Sequence, residues 1–250
     1  MPQLTYPTTP TVEQIDDYHG TPVADPYRWL EATDAPDTRA WIEAQNAVTF
    51  DFLGRIEGRD TIRRRLTELW DMPTRWAPVK RGGRYFQLRN TGLQNQDALY
   101  VMDGLHDAGR ILLDPNTLSD DGAVALTSWS VSDDGQWLAY ATSDGGSDWL
   151  TWRIRDVGSG EDLPDVVAWS KFSGAAWRPD GSGFFYSRYD APAPGQDLLG
   201  VNYNQKVYFH TRGTPQIEDR LVYERADQRE WGFGAVVSDD GRYLILHVSQ

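Results

Sequence analysis

The feature that most constrains this fold is a short unit that recurs along the chain from about residue 76. Each copy has an apolar strand, a turn with Asp-Gly or Gly-Gly, and a second apolar strand; the copies lie at residues 81–86, 129–140, 176–186 and 236–246. The turn glycines recur at intervals of roughly 50 residues: Gly83, Gly135, Gly181 and Gly241. Glycine supplies the positive φ angle that a tight hairpin needs. Repeats of about 40–50 residues that contain several strands are typical of β-propeller blades.

The length of the repeating region sets the number of blades. Residues 76–250 hold about three to four repeats of this size, and about four is the lower limit for a closed ring. We therefore predict a mainly β fold, a partial propeller of about three to four blades with an exposed sheet edge, and we expect further blades beyond this sequence. A β-sandwich in which Asp-Gly hairpins recur by chance is the alternative.

Residues 1–75 follow a different pattern. Five prolines predict an irregular segment over residues 1–33. Residues 35–71 predict two helices, the first with Asp34 as N-cap and Pro36 in its first turn. The second helix has an apolar stripe at helical spacing, formed by Ile62, Leu66, Leu69 and Trp70. Two helices with one stripe each cannot form a core alone, so we expect this arm to pack against another part of the protein.

Charge and composition exclude several classes of function. The formal net charge is −13, which argues against nucleic acid as a partner, because phosphate contacts need clustered Lys and Arg. The sequence has no cysteine, so disulfides, thiolate nucleophiles and zinc–thiolate sites are excluded. It also has no apolar run of about 18 residues, which predicts no membrane span. The N-terminus lacks the pattern of a secretory signal, so we expect a cytoplasmic protein.

The motifs of common active sites are missing from the sequence. There is no Gly-x-Ser-x-Gly elbow; Ser147 has Gly145 two residues before it but Trp149 two residues after it. Motifs for metal ligands or phosphate loops are also missing, so we predict no catalytic residue, metal or cofactor in this chain. Acidic pairs such as Asp133-Asp134 belong to turns. Each of the four histidines is interpreted as structural: His19, His106, His210 and His247.

Several strings resemble the prolyl oligopeptidase family of serine peptidases. The N-terminal strings are Asp-Tyr-His-Gly at 17–20, Asp-Pro-Tyr-Arg-Trp-Leu-Glu at 25–31 and Trp-Ile-Glu-Ala-Gln-Asn at 41–46. In the repeat region the matching strings lie, in order, at residues 90–96, 113–116, 146–149, 171–174, 184–189 and 204–208. The ordered set favours prolyl oligopeptidases over the related oligopeptidase B, which shares mainly the Asp-Pro-Tyr-x-Trp-Leu part.

The resemblance implies a particular architecture and activity. Family members place a seven-bladed propeller over an α/β-hydrolase domain, which carries the serine, aspartate and histidine of the triad and cleaves short peptides after proline. Residues 1–75 would be the N-terminal segment that packs on that domain, and residues 76–250 the first three blades and part of a fourth. The hydrolase domain would be absent from this chain, so we expect no peptidase activity from these residues alone. The propeller would act as a size-selective gate in a monomeric enzyme.

Two site residues follow from the resemblance. Phe172, in Lys-Phe-Ser-Gly, matches a phenylalanine that lines the outer substrate subsites, and Asp148, in Gly-Ser-Asp-Trp, matches an acidic residue that influences charged peptides. The sequence departs from the family at Gly232, where an apolar pocket residue is common. The segment 190–202, which includes Pro192, Pro194 and Gly195, resembles a mobile loop at the domain interface.

Two other functions stay open at this point. A peptidase like oligopeptidase B would prefer basic residues to proline, and the propeller sequence separates the two poorly. A non-enzymatic propeller scaffold for a partner protein is the second alternative. The Asp-Pro-Tyr-Arg-Trp-Leu arm argues against the scaffold, because a scaffold has no need for a segment that packs on a hydrolase.

Overall fold

The chain divides into two compact units, which are described separately. The computed structural model describes residues 4–193, 195–197 and 200–250. The first unit ends at Trp70 and the second begins at Asp71. Among the described residues, no helix is both long enough and apolar enough to cross a lipid bilayer.

The first unit opens with a β-hairpin. Strands β1 (Ile15–Tyr18) and β2 (Thr21–Ala24) pair in antiparallel fashion. The turn residues His19 and Gly20 both have positive φ angles, 56° and 87°, as the favoured two-residue hairpin turn requires. The prediction of an irregular segment was therefore wrong for residues 15–24. Pro22 lies in a ribbon of only two strands, where a residue without an N–H group is tolerated.

Two helices follow, as predicted: α1 (Pro36–Gly54) and α2 (Arg59–Trp70). The predicted cap was wrong, because the N-cap is Ala35 and makes no side-chain hydrogen bond. Asp34 instead forms an ion pair of 2.7 Å with Arg39. The apolar stripe of α2 stays exposed along its length, which agrees with an arm that cannot bury both helices by itself.

The second unit consists of antiparallel sheets in chain order. Blade 1 contains β3 (Thr74–Arg75), β4 (Val79–Arg81), β5 (Arg84–Asn90), β6 (Ala98–Met102) and β7 (Arg110–Leu113). Blade 2 contains β8 (Val124–Val131), β9 (Trp137–Asp144), β10 (Leu150–Asp156) and β11 (Asp162–Ser170). Blade 3 contains β12 (Ala176–Trp177), β13 (Gly183–Arg188), β14 (Lys206–Thr211) and β15 (Arg220–Tyr223). A half-blade contains β16 (Gly232–Val237) and β17 (Leu244–Ser249).

Strand pairing favours the propeller over the sandwich. Within each blade, paired strands are adjacent in the chain except β3, which pairs with β5, whereas a sandwich needs Greek-key connections. Blades 2 and 3 are joined by one backbone bridge, between Ser170 of β11 and Arg188 of β13. The predicted partial propeller is therefore confirmed.

The hydrophobic core lies between successive blades. One buried cluster joins blades 1 and 2, and a second joins blades 2 and 3. Strand β9 contributes to both, since Leu138 and Tyr140 face the first cluster while Ala139 and Ala141 face the second. Side chains alternate between the two faces of a strand, so a blade packed on both sides buries nearly every residue of its second strand.

The repeated turn glycines serve two purposes. All four have positive φ, between 65° and 84°, which confirms the predicted turn chemistry. In addition, a Cβ atom added at Gly135 would lie 2.7 Å from the Arg81 carbonyl oxygen, and one at Gly241 would lie 2.5 Å from Pro179 Cγ. Each of these two turns thus packs against the hairpin of the preceding blade at a distance that only glycine allows.

Candidate functional site

The two predicted site residues lie on loops at one end of the blades. Asp148 belongs to the β9–β10 loop and Phe172 to the β11–β12 loop. The pairings of Ser170 with Leu150 and with Arg188 bring these loops and the β13–β14 loop to the same end. The Asp-Gly turns lie at the opposite end, because they precede β9 and β13, whereas the β9–β10 and β13–β14 loops follow these strands.

Phe172 presents its ring to solvent from an unusual backbone conformation. Its φ angle is 53° and its exposed fraction is 70%. A bulky residue with positive φ is an outlier that its surroundings must hold in place. On one side, Gln205 Nε2 donates to the Lys171 carbonyl oxygen at 2.8 Å. On the other side, the Ser173 hydroxyl oxygen accepts from the Ser187 N–H at 2.7 Å.

Gln205 connects this loop to the half-blade. Its side chain is buried, and its Oε1 accepts from the Phe233 N–H of β16 at 2.5 Å. The Ser187 hydroxyl also donates to the Phe233 carbonyl oxygen, at 2.6 Å. Buried amide groups that use both ends in this way fix the backbone around them. The exposed phenylalanine therefore stands on a rigid base.

Asp148 and Phe172 both lie near the ammonium group of Lys171. The Nζ atom lies 4.0 Å from Asp148 Oδ2. It also lies 4.4 Å from the centroid of the Trp149 ring and 6.0 Å from that of Phe172. A cation over an aromatic face is attracted by the electron density of the ring. The ammonium group therefore lies 4.0 Å from a carboxylate oxygen and close to two aromatic rings.

Trp149 is fixed from three directions. Its indole N–H donates to the Asp197 carbonyl oxygen at 2.7 Å. Its ring makes edge-to-face contacts with Trp169 and Tyr189, at centroid distances of 5.5 and 6.2 Å. Such packing holds the ring in one orientation, so the face that Lys171 contacts is preformed.

The remaining predictions for this region have mixed outcomes. The role of Phe172 and Asp148 in binding stays a prediction. Lys206 forms an ion pair of 2.8 Å with Asp190 at the start of the 190–202 segment, and Pro194 lies outside the described residues. At Gly232 a Cβ atom would lie 2.9 Å from the Ser249 hydroxyl oxygen, so a side chain at this position would require the Ser249 side chain to move.

Sequence reasoning missed three residues of this surface. Lys171, Trp149 and Gln205 all lie within the strings that carried the family resemblance, but no role followed from them. Adjacency in sequence to Phe172 and Asp148 was the available signal for the first two. Gln205 lies more than 30 positions from the loop that it supports, and only the folded chain brings them together.

His210 is the centre of a buried charged cluster toward the other end of β14. Its Nε2 lies 2.9 Å from Asp165 Oδ1 and its Nδ1 lies 2.7 Å from Asp219 Oδ1. Burial lowers the pKa of His210, but hydrogen bonds to the two carboxylates outweigh it and raise the pKa to about 9. Both ring nitrogens are engaged with carboxylates, so neither is free to accept a proton from a serine. This geometry fits the structural role predicted for His210.

In the His210 cluster the Tyr186 hydroxyl also donates to Asp219, at 2.6 Å, and blade 2 repeats this combination of tyrosine and aspartate with a different cation. The Tyr140 hydroxyl donates to Asp162 at 2.8 Å, and Arg155 donates to both oxygens of that carboxylate at 2.7 and 2.9 Å. In both blades the cation of the third strand pairs opposite the residue two positions before a tyrosine. The Tyr–cation–Asp cluster is therefore a property of the repeat rather than a site of its own.

Together, the sheets and this surface define a β-propeller domain that presents aromatic and charged groups at one end of its blades. The chain belongs to the prolyl oligopeptidase family: the family model described as "Prolyl oligopeptidase, N-terminal beta-propeller domain" matches residues 7–250. The family membership predicted from the resemblance in sequence is thereby confirmed.

Known relatives support this assignment along nearly the whole chain. A prolyl endopeptidase of Elizabethkingia meningoseptica is 41% identical over 97% of this chain, and prolyl oligopeptidase A of Galerina marginata is 34% identical over 97%. Among solved structures, prolyl oligopeptidase B of Galerina marginata bound to a 25mer macrocyclization substrate superimposes with a TM-score of 0.82 at 30% identity. That match covers 98% of this chain and 37% of the other.

The match covers only part of each relative. The chain spans 34% of the Elizabethkingia enzyme and 37% of the Galerina oligopeptidase A. The family of serine prolyl endopeptidases is therefore shown, and the region that this chain represents is the N-terminal propeller.

Proposed function

We propose that this chain is the propeller part of a serine endopeptidase that cleaves short peptides after proline, with the propeller acting as a size-selective gate. The observation that carries the proposal is family membership over residues 7–250, together with prolyl endopeptidases as relatives at up to 41% identity. The partner of this chain would be the enzyme's own hydrolase domain, and the ligands would be short proline-containing peptides.

Bond cleavage in this proposal belongs to the hydrolase domain. Acyl transfer needs an activated serine and an oxyanion hole, and the sequence of this chain contains no nucleophile elbow. The propeller contributes binding contacts and excludes large substrates. Phe172 offers an exposed, preoriented ring for an apolar side chain of the peptide, and Asp148 offers a charge 4.0 Å from Lys171.

An assay of the complete enzyme that carries this chain tests the proposal. Fluorogenic peptides that end in proline-amide or arginine-amide are compared, and we expect a clear preference for proline. Phe172→Ala should lower kcat/KM more for peptides with several residues before the proline than for the shortest substrate, because uniform binding contacts act through KM.

Two outcomes would overturn the proposal. A preference for arginine-amide would assign the chain to an oligopeptidase B-like enzyme. A reading frame that continues with blades and ends without a Gly-x-Ser-x-Gly elbow would assign it to a scaffold. The variant Ile217→Ala is the control for Phe172→Ala, since Ile217 is also a highly exposed apolar residue but lies beside β15.

A further inference from the structure

We infer that Lys171 sets the charge preference of the surface around Phe172, by neutralising Asp148 and occupying the aromatic face that a basic substrate side chain would use. The substrate class is then peptides whose residues preceding proline are uncharged. This inference rests on the proposed function and deepens it.

Lys171 is a fixed part of the surface rather than a mobile lysine. Only 11% of its side chain is exposed, which is rare for a lysine. Its carbonyl oxygen accepts from the buried Gln205, so the backbone that carries the side chain is also held. The ammonium group therefore stays near Asp148 without the entropic cost that weakens most surface ion pairs.

The Lys171 ammonium group already lies where a cation would bind to the rings of Trp149 and Phe172. It lies over the Trp149 ring at 4.4 Å and within 6.0 Å of the Phe172 centroid. Trp149 cannot turn to offer another face, because Asp197, Trp169 and Tyr189 hold it. A guanidinium or ammonium group from a peptide would have to displace Lys171 or lie beside it. Two positive charges placed side by side repel each other.

Asp190, the second carboxylate of this region, is also paired with a lysine. Asp190 accepts two hydrogen bonds from Lys206, at 2.8 and 2.9 Å. The chain as a whole carries a net charge of −13, and an excess of that sign attracts cations to clefts. Pairing of each carboxylate with its own lysine removes that attraction at the site, which leaves the Phe172 ring as the main contact.

The test compares three peptides that differ only at one residue before the proline, which is arginine, glutamate or leucine. With the complete wild-type enzyme, we expect the highest kcat/KM for the leucine peptide. Lys171→Met leaves Asp148 without its cation and should move the Arg-to-Glu ratio of kcat/KM toward arginine by roughly three- to tenfold, as expected for a partly exposed charge pair. Asp148→Asn leaves Lys171 without its carboxylate and should move the ratio toward glutamate.

Controls separate charge from packing and folding. Lys171→Arg keeps the cation and should retain the wild-type ratio. Lys80→Met makes the same charge change at a lysine that contacts Tyr85 on a different blade, and it should leave the ratio unchanged. Asp148 is well exposed, so Asp148→Asn folds even if Lys171→Met does not.

The inference fails if Asp148→Asn leaves the ratio unchanged, or if Lys171→Met moves it no further than Lys80→Met does. The same ratios are measured as equilibrium binding of the three peptides to the 250-residue chain, which needs no cleavage. A wild-type enzyme that does not cleave after proline would overturn the proposed function, while the binding ratios would still decide the role of Lys171.

Discussion

At the scale of single residues, the buried cluster around His210 shows how one position tolerates two kinds of cation. Blade 2 uses Arg155 and blade 3 uses His210 at the same place beside a tyrosine and an aspartate. An arginine stays charged at every accessible pH, but a histidine does not. The cluster in blade 3 therefore loses its positive charge as the pH rises, whereas the cluster in blade 2 keeps it.

We expect the stability of the chain to fall as the pH rises through the range from 6.5 to 9. The folded-state pKa of His210 is raised from 6.5 to about 9, so its contribution is fully present below the lower value and is lost as the imidazolium deprotonates. The loss should amount to roughly 2–3 kcal/mol of unfolding free energy. Urea denaturation followed by tryptophan fluorescence at several pH values measures it.

Two variants check the assignment to His210. His210→Gln should have a nearly flat profile over the same range, at a lower stability, because Asp165 and Asp219 lose their cation. His247→Gln should keep the wild-type profile, since His247 is exposed on β17. A pH profile that survives in His210→Gln would show that another group causes it.

At the scale of elements, the turn glycines determine both how a blade closes and how it contacts its neighbour. Gly135 and Gly145 have similar positive φ angles, 72° and 57°. A Cβ at Gly135 would lie 2.7 Å from the Arg81 carbonyl oxygen, whereas one at Gly145 would meet no atom within 4 Å. The pair therefore separates backbone strain from packing between blades.

Gly135→Ala should destabilise the chain about threefold more than Gly145→Ala. Strain alone costs about 1 kcal/mol at a position with positive φ, and the backbone contact at Gly135 adds about 2 kcal/mol because the neighbouring hairpin must shift. Thermal and urea unfolding of both variants measure the difference. Equal effects would mean that the contact between the hairpins is easily relieved.

The sequence predicts the strands and helices better than it predicts the contacts between them. Asp-Gly turns and alternating apolar residues predict strands such as β8 and β9 because both signals are local. The β1–β2 hairpin was missed because prolines outweighed the His19-Gly20 turn, and the Asp34 cap failed because an ion pair with Arg39 competes for its carboxylate. Gln205 supports Lys171 across a long loop, and periodicity contains no information about such a contact.

At the scale of the whole chain, the half-blade exposes an apolar face. Val236 and Ile245 are paired across the two strands, and both are exposed, as is the neighbouring Tyr243. Paired strands with free edges and apolar side chains are prone to associate with other copies. The 250-residue chain by itself should therefore self-associate, and it should have no peptidase activity, because it contains no nucleophile elbow.

Sedimentation equilibrium and a proline-amide assay of the purified chain check both statements. Ile245→Lys should lower the average mass, because a charge on the sheet opposes stacking. Ile217→Lys, at a residue that is 92% exposed beside β15, is the matched control and should not. A monomeric wild-type chain, or measurable turnover free of contaminants, would contradict the prediction.

The order of synthesis gives the packing between neighbouring hairpin turns a direction during assembly. Gly135 meets Arg81, and Gly241 meets Pro179, so at both junctions the surface that receives the new hairpin is made of residues already synthesised. A ribosome delivers the chain in that same order. Each blade can then be laid against a finished template as it emerges, and removal of residues from the start of the repeat should disturb maturation more than removal of the same number from its end.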